Sequence, residues 1–141
     1  MADSVRSASS AAMAVAASAL RAQQARMRVI AENIANANST SATKGGDPYR
    51  RQVPVFEPQR LGGDLEGVRM KGVEADQSDF KSEYDPGHPA ADANGYVKTP
   101  NVDTLVEALD MRQAQRAYEA NLNVIETARS MEMRTLDLLK R

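Results

Sequence analysis

Apolar residues near the start of the chain recur at helical spacing. Met13, Leu20, Met27 and Ile34 stand seven residues apart, and Ala16, Gln23, Ile30 and Ala37 form an interleaved row three residues on. Two such rows over more than three heptads predict a long helix with an a/d seam. Around Ala8–Ala19 the seam is lined by Ala and Ser, so another backbone can approach closely there. The run from Asn33 to Ser41 alternates Asn, Ala, Ser and Thr. Such side chains compete for backbone hydrogen bonds, and the helix is expected to stop near Ala37 or Asn38.

The last forty residues repeat the pattern. Val102, Leu105, Val106 and Leu109 make a first apolar face. Ala117, Val124, Met131 and Leu138 then recur every seven residues, with Ala114, Asn121, Ala128 and Thr135 as the companion row. Asn101 or Asp103 is placed to cap this helix, Glu107 and Asp110 suit its positive end, and Lys140 and Arg141 its negative end.

Between these arms the period changes. Arg51–Phe56, Val68–Val73 and Phe80–Tyr84 read as short strands, with Gly62–Gly63 between the first two. Pro54 and Pro58 make the first an edge strand or merely extended chain. Tyr84–Asp85–Pro86–Gly87–His88–Pro89 is turn chemistry throughout. All 8 glycines and 6 prolines lie between Gly45 and Pro100, and these residues interrupt helices most strongly. The expected fold is mainly α: long N- and C-terminal helices pair as a coiled coil around a small β/loop-rich central insert. The arms are residues 1–44 and 101–141, and the insert is residues 45–100.

Composition narrows the functional classes. Two Phe, four Tyr and no Trp are few for 141 residues, and only Tyr118 of the six lies in an arm, so any compact core is small and central. A net charge of −1 gives no argument for nucleic acid. The lack of cysteine excludes disulfides and thiolate chemistry. Ala11–Leu20 has the length of a secretory h-region, but it is mostly Ala and Ser, Asp3 sits where positive charge is wanted, and the helical pattern runs straight through it. No run reaches the ~20 apolar residues of a membrane span, so no direct membrane insertion is expected.

Candidate chemistry is thin. Asp85, His88 and Asp92 could bind a divalent metal, although their spacing matches no strong signature and His88 is the only histidine. The other reading is a rigid turn whose aspartates serve the backbone. Ser78, His88 and Asp79 make a triad only on paper, since nothing places a serine on a nucleophile elbow. Arg50–Arg51 beside Tyr49 reads as a solvated strand end. No cofactor and no enzymatic activity are expected.

Several segments resemble a known family. Ala31–Thr40, with Asn33, Asn36 and Asn38, resembles the N-terminal signature of bacterial flagellar rod and hook proteins. Tyr49–Phe56, with Arg50, Pro54 and Phe56, is similar to a stretch of the proximal-rod members of that family. So are Tyr84, Asp85, Pro86, Gly87, His88, Pro89 and Asp92, followed by Gly95, Tyr96, Pro100 and Asn101. Arg116–Leu122 is similar to the family's closing helix. Ser39–Thr40–Ser41, Ala108 and Leu109 depart slightly from the family's usual residues.

The resemblance implies a structural subunit of the flagellar basal body, exported through the type III channel without a cleaved signal peptide. It further implies helical self-assembly into a rod that crosses the periplasm and transmits motor torque. The implied partners are copies of itself, other rod proteins, the rod-base adaptor and the export apparatus. On that reading Met13, Ala16, Leu20, Met27, Ile30 and Ile34 pack between subunits, with Ala117, Asn121, Val124, Ala128, Met131 and Leu138. Ala16→Phe is then expected to block assembly while sparing export. Another rod or hook-junction paralogue, a cytoplasmic coiled-coil adaptor, and a metal-binding module centred on Asp85, His88 and Asp92 are the alternatives.

Overall fold

A computed structural model describes residues 1–140; Arg141, expected to suit the dipole of the last helix, lies outside the described residues. Helix α1 spans Ala2–Ala35 and helix α2 spans Thr104–Leu139. Between them lie strands β1 (Gln52–Gly62), β2 (Leu65–Ala75), β3 (Lys81–Tyr84) and β4 (Tyr96–Thr99). β1 pairs with β2 in one two-stranded sheet and β3 with β4 in another. The two long helices and the small two-sheet β insert agree with the pattern of breakers. At ~1.5 Å per residue, α2 is about 54 Å long. No described helix is long and apolar enough to cross a membrane.

Element ends follow local chemistry. α1 closes at Ala35, slightly before the expected stop, because its last turn tightens. The Ala37 amide donates to Ile34 O at 3.2 Å and the Ser39 amide to Asn36 O at 3.1 Å, a 3₁₀-type pattern. Asn36 Nδ2 donates to Glu32 O at 2.8 Å and satisfies one carbonyl of the closing turn. At the start of α2, Asp103 is the N-cap. Its Oδ1 accepts from the Leu105 and Val106 amides at 3.0 and 3.4 Å. β1 runs through both Pro54 and Pro58, which a two-stranded ribbon tolerates because each strand keeps one open edge.

The chain divides into two compact units. The first contains residues 1–26, 56–71 and 113–141. In it α1 and α2 run antiparallel: Ser9 Oγ donates to Glu132 Oε1 at 2.6 Å, and Arg26 Nη2 donates to Gln113 Oε1 at 3.1 Å. Ser9, Ala16, Ser18 and Ala22 are buried on one helix, Ala114 and Ala128 on the other. These buried side chains are small, which permits close approach of whatever packs on them. The β1–β2 ribbon docks on α1 at one tight point. The Val68 amide donates to Ser18 Oγ at 3.1 Å, and Ser18 Oγ donates to Val15 O at 2.7 Å. A Cβ on Gly67 would stand 2.3 Å from that oxygen, so only glycine admits the contact.

The second unit contains residues 27–55 and 72–112. β3 and β4 are antiparallel, with Lys81 opposite Thr99 and Tyr84 opposite Tyr96. Ala90, Ala91 and Val97 form a small buried cluster. Val29, Ile30, Ala37, Pro100 and Val102 are also buried, together with two polar side chains, Asn33 and Glu107.

Candidate assembly interface

Two features of the molecule bear on function: a polar node that orders the second unit, and apolar helix surface left open to solvent.

The node is built from positions far apart in sequence. Asn33, near the end of α1, uses its whole amide. Its Oδ1 accepts from Tyr49 OH at 2.8 Å and from the Gln52 amide at 2.9 Å, and its Nδ2 donates to Gln52 O at 2.9 Å and Glu107 Oε2 at 3.3 Å. Glu107, in the first turn of α2, is 0 % exposed. Its Oε1 accepts from Arg51 Nε. The Arg51 guanidinium also reaches Asp76 Oδ2 at 3.3 Å and Asp110 Oδ2 at 3.6 Å. Asn101 Oδ1 accepts from the Arg51 amide at 2.7 Å, and its Nδ2 donates to Asp76 O at 3.0 Å. Arg50 Nη1 donates to Asp76 O and Ser78 O, and its guanidinium lies 4.1 Å from the centre of the Phe80 ring. α1, β1, the loop after β2 and α2 are thus tied by bonds that satisfy every buried polar group named.

The electrostatics are consistent with this geometry. Burial pushes the Tyr49 phenol up, with the charges of Glu32 and Glu107 adding to it, so it serves as a neutral donor. Burial works against the Arg51 charge, but the bond and charge of Glu107 and of Asp76 outweigh it, and its pKa is raised. Asp76 is held below the ordinary carboxylate range by the Ser78 backbone and side chain, with Arg51 contributing after burial opposes it.

The turn between β3 and β4 is built from its own side chains. Asp85 Oδ1 accepts from the Gly87 amide at 3.2 Å, and His88 Nδ1 accepts from the Ala90 amide at 3.0 Å. Asp92 Oδ1 accepts from the Asn94 and Tyr96 amides at 2.9 and 3.0 Å. Tyr84 and Tyr96 meet edge to face at 5.2 Å. Gly95 has φ of 85°, and a Cβ there would lie 2.9 Å from the Tyr84 ring. Asp85 and Asp92 each give the backbone one carboxylate oxygen, and His88 gives it one ring nitrogen. Among the described residues no group of three His, Cys, Asp or Glu side chains is placed to hold a metal ion. Pro86 and Pro89 are exposed on this turn and Pro100 is buried.

The helices leave much apolar surface uncovered. Of the heptad positions, Ala16, Ile30 and Ala128 are buried, while Met13, Leu20, Met27, Ala117 and Asn121 are half-buried. Ile34, Val124, Met131 and Leu138 are exposed, Leu138 to 71 %. Met133, Leu136 and Leu139 are exposed as well, and Leu105 and Leu109 stand open at the other end of α2. Because Ala16 is covered by the chain's own first unit, Ala16→Phe would disturb that unit before any contact between copies. In the first unit a groove of about 680 Å³ is lined by residues that include Val5, Ala8 and Ala12 of α1 and Val124, Ala128 and Met131 of α2. Among the remaining signature residues, Asn36, Arg50 and Pro54 are half-buried, and Asn38 and Phe56 are exposed.

Sequence reasoning missed Arg51, which read as a solvated strand end, and the burial of Glu107, which read as a favourable helix-dipole charge. Asn101 read as a cap, but its side chain is committed to the node. One signal was available for Glu107. It continues the row of Ala114, Asn121, Ala128 and Thr135 by one heptad, which places it on the same helix face but names no partner.

Known proteins are similar to this chain in sequence. A family model for "Flagella basal body rod protein" matches residues 13–42, and one for "Flagellar basal body rod FlgEFG protein C-terminal" matches residues 93–138. The flagellar basal-body rod protein FlgC of Agrobacterium fabrum is 51% identical over 133 residues, 93% of this chain and 95% of the relative. FlgC of Salmonella typhimurium is 44% identical over 125 residues, 88% of this chain and 92% of the relative. FlgC of Borreliella burgdorferi is 42% identical over 144 aligned positions, 89% of this chain and 94% of the relative. With identity of this extent over nearly the whole of each relative, the chain belongs to the FlgC family of flagellar basal-body rod proteins.

Proposed function

We propose that this protein is a structural subunit of the proximal rod of the flagellar basal body, assembling helically through its terminal helices to transmit motor torque. The observation that carries the reading is the exposed apolar surface of α2, from Val124 through Met131 to Leu138. An amphipathic helix whose apolar side chains stay exposed in the single chain has apolar surface left for a partner. These side chains are already partly covered, so covering the rest of one contributes about 1–2 kcal/mol, and several of them offset the entropy of fixing a subunit in place. The small residues of the α1–α2 layer suit a coiled-coil pairing of the two arms, which leaves the larger residues for neighbouring copies.

On this reading the partners are copies of the same chain, other rod proteins, the rod-base adaptor and the export apparatus. The protein reaches the basal body through the type III channel without a cleaved signal. The arms 1–44 and 101–141 build the tube, and residues 45–100 set contacts outside it. The test is Met131→Asp with Leu138→Asp in the full chain. Sedimentation is expected to show a helical chain that no longer self-associates, and cells carrying it are expected not to swim. Normal assembly and motility of the double variant would rule the reading out.

A further inference from the structure

The 7 methionines of this chain fall into two groups. Met13, Met27, Met70 and Met111 are half-buried. Met131, Met133 and the initial Met1 are exposed, Met131 to 51% and Met133 to 61%. In a chain without cysteine, the thioether is the sulfur group that peroxides oxidise, and exposure sets which one reacts first.

Met131 and Met133 stand in different surroundings. At ~100° per residue they lie about 160° apart around α2. Met131 lines the groove of about 680 Å³ in the first unit, beside Val5, Ala8 and Ala12 of α1 and Val124 of α2, and Met133 does not. Among the described residues no charged side chain lines that groove. Two of its polar side chains already donate within the chain, Ser4 Oγ to Met1 O and Ser9 Oγ to Glu132 Oε1, each at 2.6 Å. An exposed thioether therefore sits in apolar surface that the assembly reading sets against a neighbour.

We propose that Met131 is a reversible oxidation site through which hydrogen peroxide controls association of the unassembled subunit. The proposal rests on the assembly reading above and adds regulation to the same surface. The sulfur lone pair attacks one peroxide oxygen, an S–O bond forms and the O–O bond breaks. Both peroxide hydrogens leave on the second oxygen as water, and the two electrons that sulfur loses are those the peroxide gains. The product is a polar, chiral sulfoxide. In the single subunit water solvates its oxygen. A neighbour covering the groove removes that water, and a buried acceptor without a donor opposes the contact. Sulfoxide reductases regenerate the thioether, so the block is reversible.

The test treats the dilute full-length protein with hydrogen peroxide and removes the oxidant. Peptide mass spectrometry then reads each methionine, and sedimentation reads association. Met131 and Met133 are expected to oxidise ahead of Met13, Met27, Met70 and Met111. The oxidised protein is expected to associate only at about tenfold higher concentration, and the two sulfoxide reductases are expected to restore it. Met131→Leu keeps an apolar side chain of similar volume, so it should associate as before and lose the response to peroxide. Met133→Leu should keep that response.

Oxidation of Met131 no faster than that of the half-buried four would overturn the proposal. So would unchanged association of protein carrying the Met131 sulfoxide. An undiminished peroxide effect in Met131→Leu would reject Met131 as the site. In each of these cases the untreated protein still associates and the assembly reading stands. If the untreated protein associates at no concentration, the assembly reading falls and this proposal falls with it.

Discussion

Arg51→Ala is expected to destabilise the second unit far more than Glu107→Gln, although the two changes break the same ion pair. Without Arg51, the Glu107 carboxylate stays fully buried and keeps only the Asn33 amide at 3.3 Å. A buried charge stripped of its partner costs about 3–5 kcal/mol. Releasing Asp76 and Asp110 adds at most about 1 kcal/mol, since both are partly exposed. Glu107→Gln keeps the shape and an acceptor for Arg51. The guanidinium also keeps Asp76 and Asp110, and its side chain is 22% exposed. The remaining loss is one mismatched amide, about 1–2 kcal/mol. Native-state hydrogen exchange at the Gln52 amide reads this node directly, because that amide donates to Asn33 Oδ1 at 2.9 Å. At ~1.4 kcal/mol per decade, Arg51→Ala should speed its exchange by about two to three and a half decades, and Glu107→Gln by about one. The pair R51M with E107L should recover most of the loss, because an apolar pair replaces a buried ionic one without an orphaned charge. Equal effects of the two single changes, or less than a tenfold change for Arg51→Ala, would refute the reasoning.

Three further outcomes follow from the geometry. Gly67→Ala should cost about 1–3 kcal/mol in thermal unfolding, since its Cβ meets Ser18 Oγ at 2.3 Å and Leu61 Cδ1 at 2.8 Å; adding Ser18→Gly should recover part of it. Gly95→Ala should cost about 1–3 kcal/mol, because φ of 85° and the Tyr84 ring both oppose a side chain, and loss of the Tyr84–Tyr96 ring contact in NMR spectra would report it. Asp76 is held low in the folded state, so its contribution is present above the ordinary carboxylate pKa of about 4. That contribution is lost as pH falls through the lowered folded value. Exchange at the Ser78 amide, which donates to Asp76 Oδ1 at 2.9 Å, should therefore accelerate below about pH 4, with Asp76→Asn abolishing that acid step.

The helices and the turn were legible because they rest on local physics. Gly and Pro interrupt helices wherever they stand, a heptad row marks a face without knowledge of its partner, and Asp85–Pro89 forms its turn with its own atoms. β4 escaped notice because four residues carry too little alternation, and its existence depends on pairing with β3. The node was hidden for a different reason. Asn33, Arg51, Asn101 and Glu107 each have a sound local reading as helix stop, strand end, cap and dipole charge. Only closure of loops 19 to 74 residues long makes them partners, and no local rule contains that closure.

The heptad rows show a further limit, which bears on assembly. Periodicity named two faces on each helix but not which of them the chain itself would cover. In the first unit the covered row is the one with the smaller residues: Ser9 and Ala16 on α1, Ala114 and Ala128 on α2. Val124 and Met131 line the open groove of that unit, and Leu138 is exposed, so these larger side chains have more apolar surface left to lose. A chain selected only to fold alone would do the reverse, because burial of the larger side chains contributes more. Reserving them makes the isolated subunit less stable and places the larger apolar contribution in contacts between copies. The polar node does not depend on that contribution, since its bonds are complete within one chain. Disrupting the node should therefore be visible in the monomer, whereas disrupting the exposed row should leave the monomer folded and show only on assembly.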